Sequence, residues 1–148
     1  MNKLIPALAL TALAALPANA APTYLTCSLV DTQREVAGKV FEPSGIALPV
    51  ELTLNEEQQT ASYYLPSTGL TQRVSATFQR DVITFKNKKT TRWSVHSDQW
   101  SLDRVQGVLT RRSVQLAASM IPGQAPTKLL DISQSGKCSK AAAPERMF

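Results

Sequence analysis

Apolar residues recur at every second position along most of this chain, and seldom at the three-and-four spacing of a helix. The clearest run is Leu48, Val50, Leu52 and Leu54, with Pro49, Glu51 and Thr53 between them. Alternation of this kind lines one face of a strand with apolar side chains and the other with polar ones. After Asn55-Glu56-Glu57-Gln58 the period resumes in Ala61, Tyr63 and Leu65. The two runs predict a hairpin in which Leu52 faces Ala61, Val50 faces Tyr63 and Leu48 faces Leu65. A one-residue slip would turn both apolar sets outward, so the register is well specified.

A second hairpin is predicted from Trp93-Ser94-Val95 and Trp100-Ser101-Leu102 around a loop His96-Ser97-Asp98-Gln99. In it Val95 faces Trp100 and Trp93 faces Leu102, pairs worth roughly 0.2–1 kcal/mol each. The next turn is Arg104-Val105-Gln106-Gly107, where Gly107 supplies the positive φ that closes such a loop. Further strands are expected over 24–30, 36–41, 74–78, 82–85, 114–120 and 128–133, with Gly38 marking a bulge in the second. Proline-containing breaks at 42–45, 66–69 and 121–126 separate them. The fold class is all-β, a small antiparallel meander of eight to ten strands.

The cysteines choose between barrel and sandwich. Cys27 lies in the first predicted strand and Cys138 just after the last, 111 residues apart. An isolated pair in an oxidising compartment forms a disulfide, and its α-carbons must come within about 7 Å. The two ends of the sheet must therefore meet, which favours a closed barrel over a sandwich. A bridge across so long a loop stabilises by on the order of 4.8 kcal/mol in the chain-entropy account.

That compartment follows from the start of the chain. Met1-Asn2-Lys3, an apolar run from Leu4 to Leu16 and the ending Pro17-Ala18-Asn19-Ala20 read as a secretory leader cut after Ala20. The expected layout is a leader over 1–20, one β domain over 21–138 and a C-terminal tail over 139–148. The periplasm is the first expectation and full secretion the second. Losing Lys3 leaves fifteen basic against eleven acidic residues, a net +4. The basic residues are scattered, which argues against a nucleic-acid partner. No second apolar stretch reaches membrane-spanning length.

The stretch Trp100-Ser101-Leu102-Asp103-Arg104-Val105-Gln106-Gly107, with Gly136-Lys137-Cys138 further on, resembles small exported Gram-negative β-meander proteins of unknown function. Those carry an aromatic followed by I/L-D/N-R-x-T-G and a closing G-x-C; Gln106 stands where the threonine is usual. The resemblance implies a β-meander and no activity. Periplasmic lysozyme-inhibitor families are similar in size, compartment and disulfide use. Their S-G-x-x-Y motif is missing here, since Ser44-Gly45 lacks the tyrosine and Tyr63-Tyr64 lack the Ser-Gly.

Candidate chemistry is sparse. His96 is the only histidine, so neither a two-histidine metal site nor any cofactor is expected. His96-Ser97-Asp98 sets three catalytic residue types side by side, but neighbours on a strand face opposite ways and a triad converges from separated segments. Carboxylates fall mainly at turns and solvent faces, and Asp103-Arg104 reads as a pair that braces its turn. The densest basic run, Lys86, Lys88 and Lys89 with Arg92 beyond, reads as a hairpin tip. Its plain role is to keep an edge soluble; its functional role is to hold an anionic partner. Arg111 and Arg112 extend it if both point the same way. Tyr64, facing away from Tyr63, is the candidate interface aromatic.

These features predict a non-enzymatic periplasmic binding module for a protein or an envelope polymer such as lipopolysaccharide or peptidoglycan, in the manner of an inhibitor or immunity protein. A lipocalin-like ligand barrel is the alternative and a small hydrolase the third. Volume separates the first two: a continuous internal cavity above about 300 Å³ favours the ligand reading.

Overall fold

The computed structural model describes residues 20–143. The predicted leader lies outside them apart from Ala20, as do residues 144–148 of the predicted tail. Nine antiparallel strands follow in order: β1 (Thr23–Val36), β2 (Lys39–Phe41), β3 (Leu48–Asn55), β4 (Thr60–Leu65), β5 (Leu70–Phe78), β6 (Val82–Thr90), β7 (Ser94–Asp103), β8 (Val108–Ala117) and β9 (Thr127–Lys140). Each strand from β3 onward pairs with the next, and β9 returns to β1. Eight strands thus close a barrel, while β2 adds a short flap beside Arg34–Val36 of β1.

Closure depends on the β1–β9 ladder. Cys27 sits directly opposite Cys138, and the two form the expected disulfide, with α-carbons 4.0 Å apart. Two residues along, Leu29 faces Gly136. A Cβ on Gly136 would overlap the Ser28 carbonyl and press on the Leu29 α-carbon, so only glycine lets the strands approach here. Extra residues enter near the far end of this ladder and the next, at Thr32 of β1 and Leu129 of β9. Bulges of this sort bend strands at barrel rims.

The alternation explains the core. Leu29, Val50, Leu52, Leu54, Ala61, Ile83, Leu102 and Leu109 point inward and are buried. Above them Tyr63, Phe85 and Trp100 meet across the lumen, with ring centroids 4.8 Å apart for Tyr63–Trp100 and 5.6 Å for Phe85–Trp100. The aromatic layer fills the middle of the barrel with the protein's own side chains.

Several local expectations need correction. The β3–β4 hairpin keeps its apolar face, but Leu52 pairs with Tyr63 and Leu54 with Ala61, two residues from the predicted register. The loop is residues 56–59, where Asn55 Oδ1 accepts the Gln58 amide at 2.9 Å and Gln59 takes a φ of 51°. Gly38 marks no bulge: Ala37 and Gly38, both at positive φ, form the tight turn between β1 and β2. No hairpin turns at His96–Gln99, since β7 runs unbroken through it, with β6 on one side and β8 on the other. Trp93 stands outside the strands and is exposed. The turn at 104–107 forms as expected, with Gly107 at φ 64° and Asp103 Oδ1 accepting the Val105 and Gln106 amides, each at 2.8 Å. Arg104, however, pairs with Glu56 at 3.2 Å instead of Asp103. β9 extends past Cys138 to Lys140, beyond the strand expected over 128–133.

Candidate functional site

The two ends of the barrel differ in chemistry. At one end are the short turns 56–59, 79–81 and 104–107 and the ends of the described chain. At the other are the β1–β2 turn and the loops 42–47, 66–69, 91–93 and 118–126. We call this the loop end.

Inside the loop end the lumen turns polar. Trp100, Arg111, Gln134 and Asp31 are successive partners on β7, β8, β9 and β1, so Arg111, Gln134 and Asp31 continue from the aromatic layer as one polar belt. Arg111 lies over the Trp100 ring, 5.0 Å from its centroid, and donates to Asp98 Oδ1 from Nε at 3.0 Å and from Nη2 at 2.8 Å. Its Nη1 reaches Gln134 Oε1 at 3.2 Å, and the Gln134 amide donates to Asp31 at 2.9 Å. Ser44, from loop 42–47, closes the chain with a 3.0 Å hydrogen bond to Asp31. Asp31 and Asp98 are thus buried but occupied by donors, the condition for tolerating charge away from water. Opposite them, Asn87 donates to the Tyr63 hydroxyl at 3.2 Å. Burial, followed by the Asp98 carboxylate, pushes that hydroxyl above its usual pKa, against the opposing effects of Asn87 and Arg111.

His96 and Asp98 share the inward face of β7, with His96 Nε2 and Asp98 Oδ2 3.1 Å apart. Ser97 faces outward, but Ser113 comes within 3.4 Å of the same Nε2. A serine–histidine–carboxylate relay engages the two ring nitrogens separately. Here serine and carboxylate converge on one nitrogen, and Asp98 is already committed to Arg111. Among the described residues, no cluster of His, Cys, Asp or Glu could hold a metal ion.

The predicted basic residues divide. Lys86, Lys88 and Lys89 lie within β6 itself and not at a tip; the tip is residues 91–93. Lys86 and Lys88 face outward and are exposed, and Lys89 is exposed at the lumen's edge. Arg92 sits in the tip with its guanidinium 4.8 Å from the Trp93 ring centroid. Arg111 and Arg112 are split by the pleat: Arg111 points into the lumen, and Arg112 stands on the outer wall. There Arg112 holds Asp131 in a two-point pair at 3.0 and 2.8 Å, and Lys128 joins Asp131 to Glu35. The Arg112 guanidinium, followed by Lys128, holds the Asp131 carboxyl below its usual range. Tyr64 faces outward as predicted, in a wall groove of about 850 Å³ that it shares with Tyr24, Thr53 and Ser62.

The rim of the loop end is apolar. Val40, Phe41, Ile46, Leu70, Trp93, Met120, Ile121 and Leu129 are all exposed there, Ile46 and Met120 at 77% and 78%. Lys39, Lys88, Lys89 and Arg92 stand among them, and Glu42 is the exposed carboxylate nearby. Nothing among protein-family models, curated proteins or solved structures matches the chain. Neither the lumen belt nor the apolar rim is among the sequence-based expectations. The signal for the belt was present: His96, Asp98 and Arg111 hold the same parity as Trp100, Leu102 and Leu109, hence the same inward face. The rim had no local signal, because its residues come from five separate segments.

Proposed function

We propose that this protein is a non-enzymatic binding module that works in the periplasm and docks through its loop end on an acidic protein partner, in the manner of an inhibitor or immunity protein. The observation that carries the reading is the concentration of exposed apolar side chains at one end. Isolated exposed apolar residues are ordinary, but a contiguous set rimmed by charge is the composition of an interface. Val30 and Val105 are the other large apolar residues exposed among the described ones, and Val105 lies in the turn at the opposite end. Trp93, stiffened by Arg92, has the chemistry of an anchoring residue. Lys88, Lys89 and Arg92 select for negative charge and speed encounter. Tyr63, Phe85 and Trp100 fill the middle of the lumen, which weighs against a lipocalin-like chamber running the length of the barrel.

The test is capture from a periplasmic extract by the wild-type protein and by the triple variant Ile46→Ser, Trp93→Ser, Ile121→Ser. The expected result is a protein retained by the first and lost by the second, with unchanged circular dichroism and melting temperature. Identical capture by both would refute docking through this end.

One observation favours a second reading. A cavity of about 390 Å³ opens at the end opposite the loops, floored by Leu25, Leu54, Phe78, Ile83 and Leu102. It is large enough for a small apolar ligand. Native mass spectrometry of protein purified from its own envelope would reveal such a passenger as a discrete added mass.

A further inference from the structure

We infer that the wall between β5 and β6 is a slot for an extended acidic segment of a partner, which enters there as an added strand. The inference rests on the docking reading above and specifies how the partner is gripped.

The wall parts over the longest facing stretch of two strands at this seam. β5 and β6 pair through Ala76–Phe85, Thr77–Thr84 and Phe78–Ile83, and no further. Toward the loop end they part. Leu70–Ser75 of β5 remain bonded to β4, and Lys86–Thr90 of β6 remain bonded to β7, but not to each other. The β3–β4 ladder stops one residue short of the end of β4, and every other junction of the barrel continues to the end of at least one of its strands. Two facing edges, six and five residues long, therefore carry backbone N–H and C=O groups with no strand opposite. Unpaired edges are the template that strand addition uses. The parted edges are held together from inside by one residue: Asn87 of β6 donates to Tyr63 at 3.2 Å and reaches Gln72 of β5 at 3.5 Å.

Charge selects the occupant. Lys86 and Lys88 project outward from the β6 edge, with Lys89 and Arg92 at the loop end, while Arg73 of β5 turns toward the β3–β4 turn, where it donates to Gln58 at 2.6 Å. Lysines on an edge repel a second copy carrying the same edge, so self-pairing is disfavoured. The same charges attract a strand of opposite sign. Side chains of an inserted strand alternate between the cationic outer wall and the lumen, where Gln72, Val74 and Asn87 wait. The fitting segment thus carries a carboxylate at every second position, with small or β-branched residues between.

A fluorescein-labelled decapeptide of alternating Glu and Thr, titrated by fluorescence anisotropy, tests this directly. Two controls accompany it: the Lys–Thr counterpart, and the Glu–Thr peptide N-methylated at each Thr amide, which keeps its charge but cannot complete a ladder. The expected result is binding of the Glu–Thr peptide, weakened by at least about tenfold on N-methylation and by a similar factor in the variant Lys86→Glu, Lys88→Glu. Hydrogen exchange should slow at Leu70–Ser75 and Lys86–Thr90 when the peptide is bound. No binding overturns the slot; so does equal affinity for the N-methylated peptide, or protection that falls at β2 or elsewhere. If the slot fails while the Ile46, Trp93 and Ile121 variant still loses its partner, docking survives and only the mode of grip is wrong. In the converse case, with the peptide binding as expected and the rim variant capturing normally, the slot stands and docking through the rim is refuted.

Discussion

At the scale of single residues, two positions hold the barrel shut with little tolerance. Gly136 exists because the Ser28 carbonyl occupies the space a side chain would need. Gly136→Ala must push β1 from β9 beside the disulfide, and we expect a loss of about 3 kcal/mol or more in urea unfolding, or no soluble protein. Arg111 is different, since its role is electrical. Arg111→Met would strand the buried Asp98 carboxylate and should cost about 3–5 kcal/mol. Adding Asp98→Leu removes the orphaned charge, and the double variant should recover most of that loss. A double variant as unstable as Arg111→Met alone would mean that shape, not charge, was lost.

At the scale of strands, the outer clasp of Asp131 with Arg112 and Lys128 ties β8 to β9 and, through Glu35, to β1. Asp131 has a depressed pKa in the folded protein, chiefly through Arg112. Its contribution is therefore present above the unfolded carboxylate pKa, near 3.9, and is lost as pH falls through the lower folded value. Wild type should exceed Asp131→Asn in stability by a constant margin from pH 7 to about 5, and the margin should shrink toward zero below about 4. Chemical denaturation across that range measures it. The strands were legible in the sequence because alternation survives any environment that is dry on one side: Leu48 to Leu54 and Ala61 to Leu65 needed no tertiary knowledge. The errors arose where the inside is wet. His96 and Asp98 look like a turn because polar residues usually face solvent, yet here Arg111, from another strand, makes the inward face acceptable to them. The basic run at Lys86 looks like a tip for the same reason, though it is the exposed stretch of β6 that lacks a β5 partner. Of the candidate site, the cationic edge could be read residue by residue; the apolar rim emerges only when five distant segments are brought to one end.

At the scale of the whole molecule, polarity runs along the axis: an aliphatic base, an aromatic midsection, a charged belt and an apolar rim. Strand order adds a second asymmetry, around the axis. β1, β3, β4 and β5 make one half of the wall, β6 to β9 the other, and the halves meet at two junctions. One carries the covalent bond between Cys27 and Cys138; the other, diametrically opposite, is the partly unpaired seam. The barrel is thus built like a clamshell, with sulfur at its hinge and its lips at β5 and β6. Spreading the lips sacrifices three ladder pairs, while the hinge keeps the shells from separating. Removing the hinge, as in Cys27→Ser with Cys138→Ser, should lower stability by about 4–5 kcal/mol. It should also merge the exchange of lip amides with global unfolding, whereas the oxidised protein should show them opening alone. A clam without its hinge can gape only by coming apart.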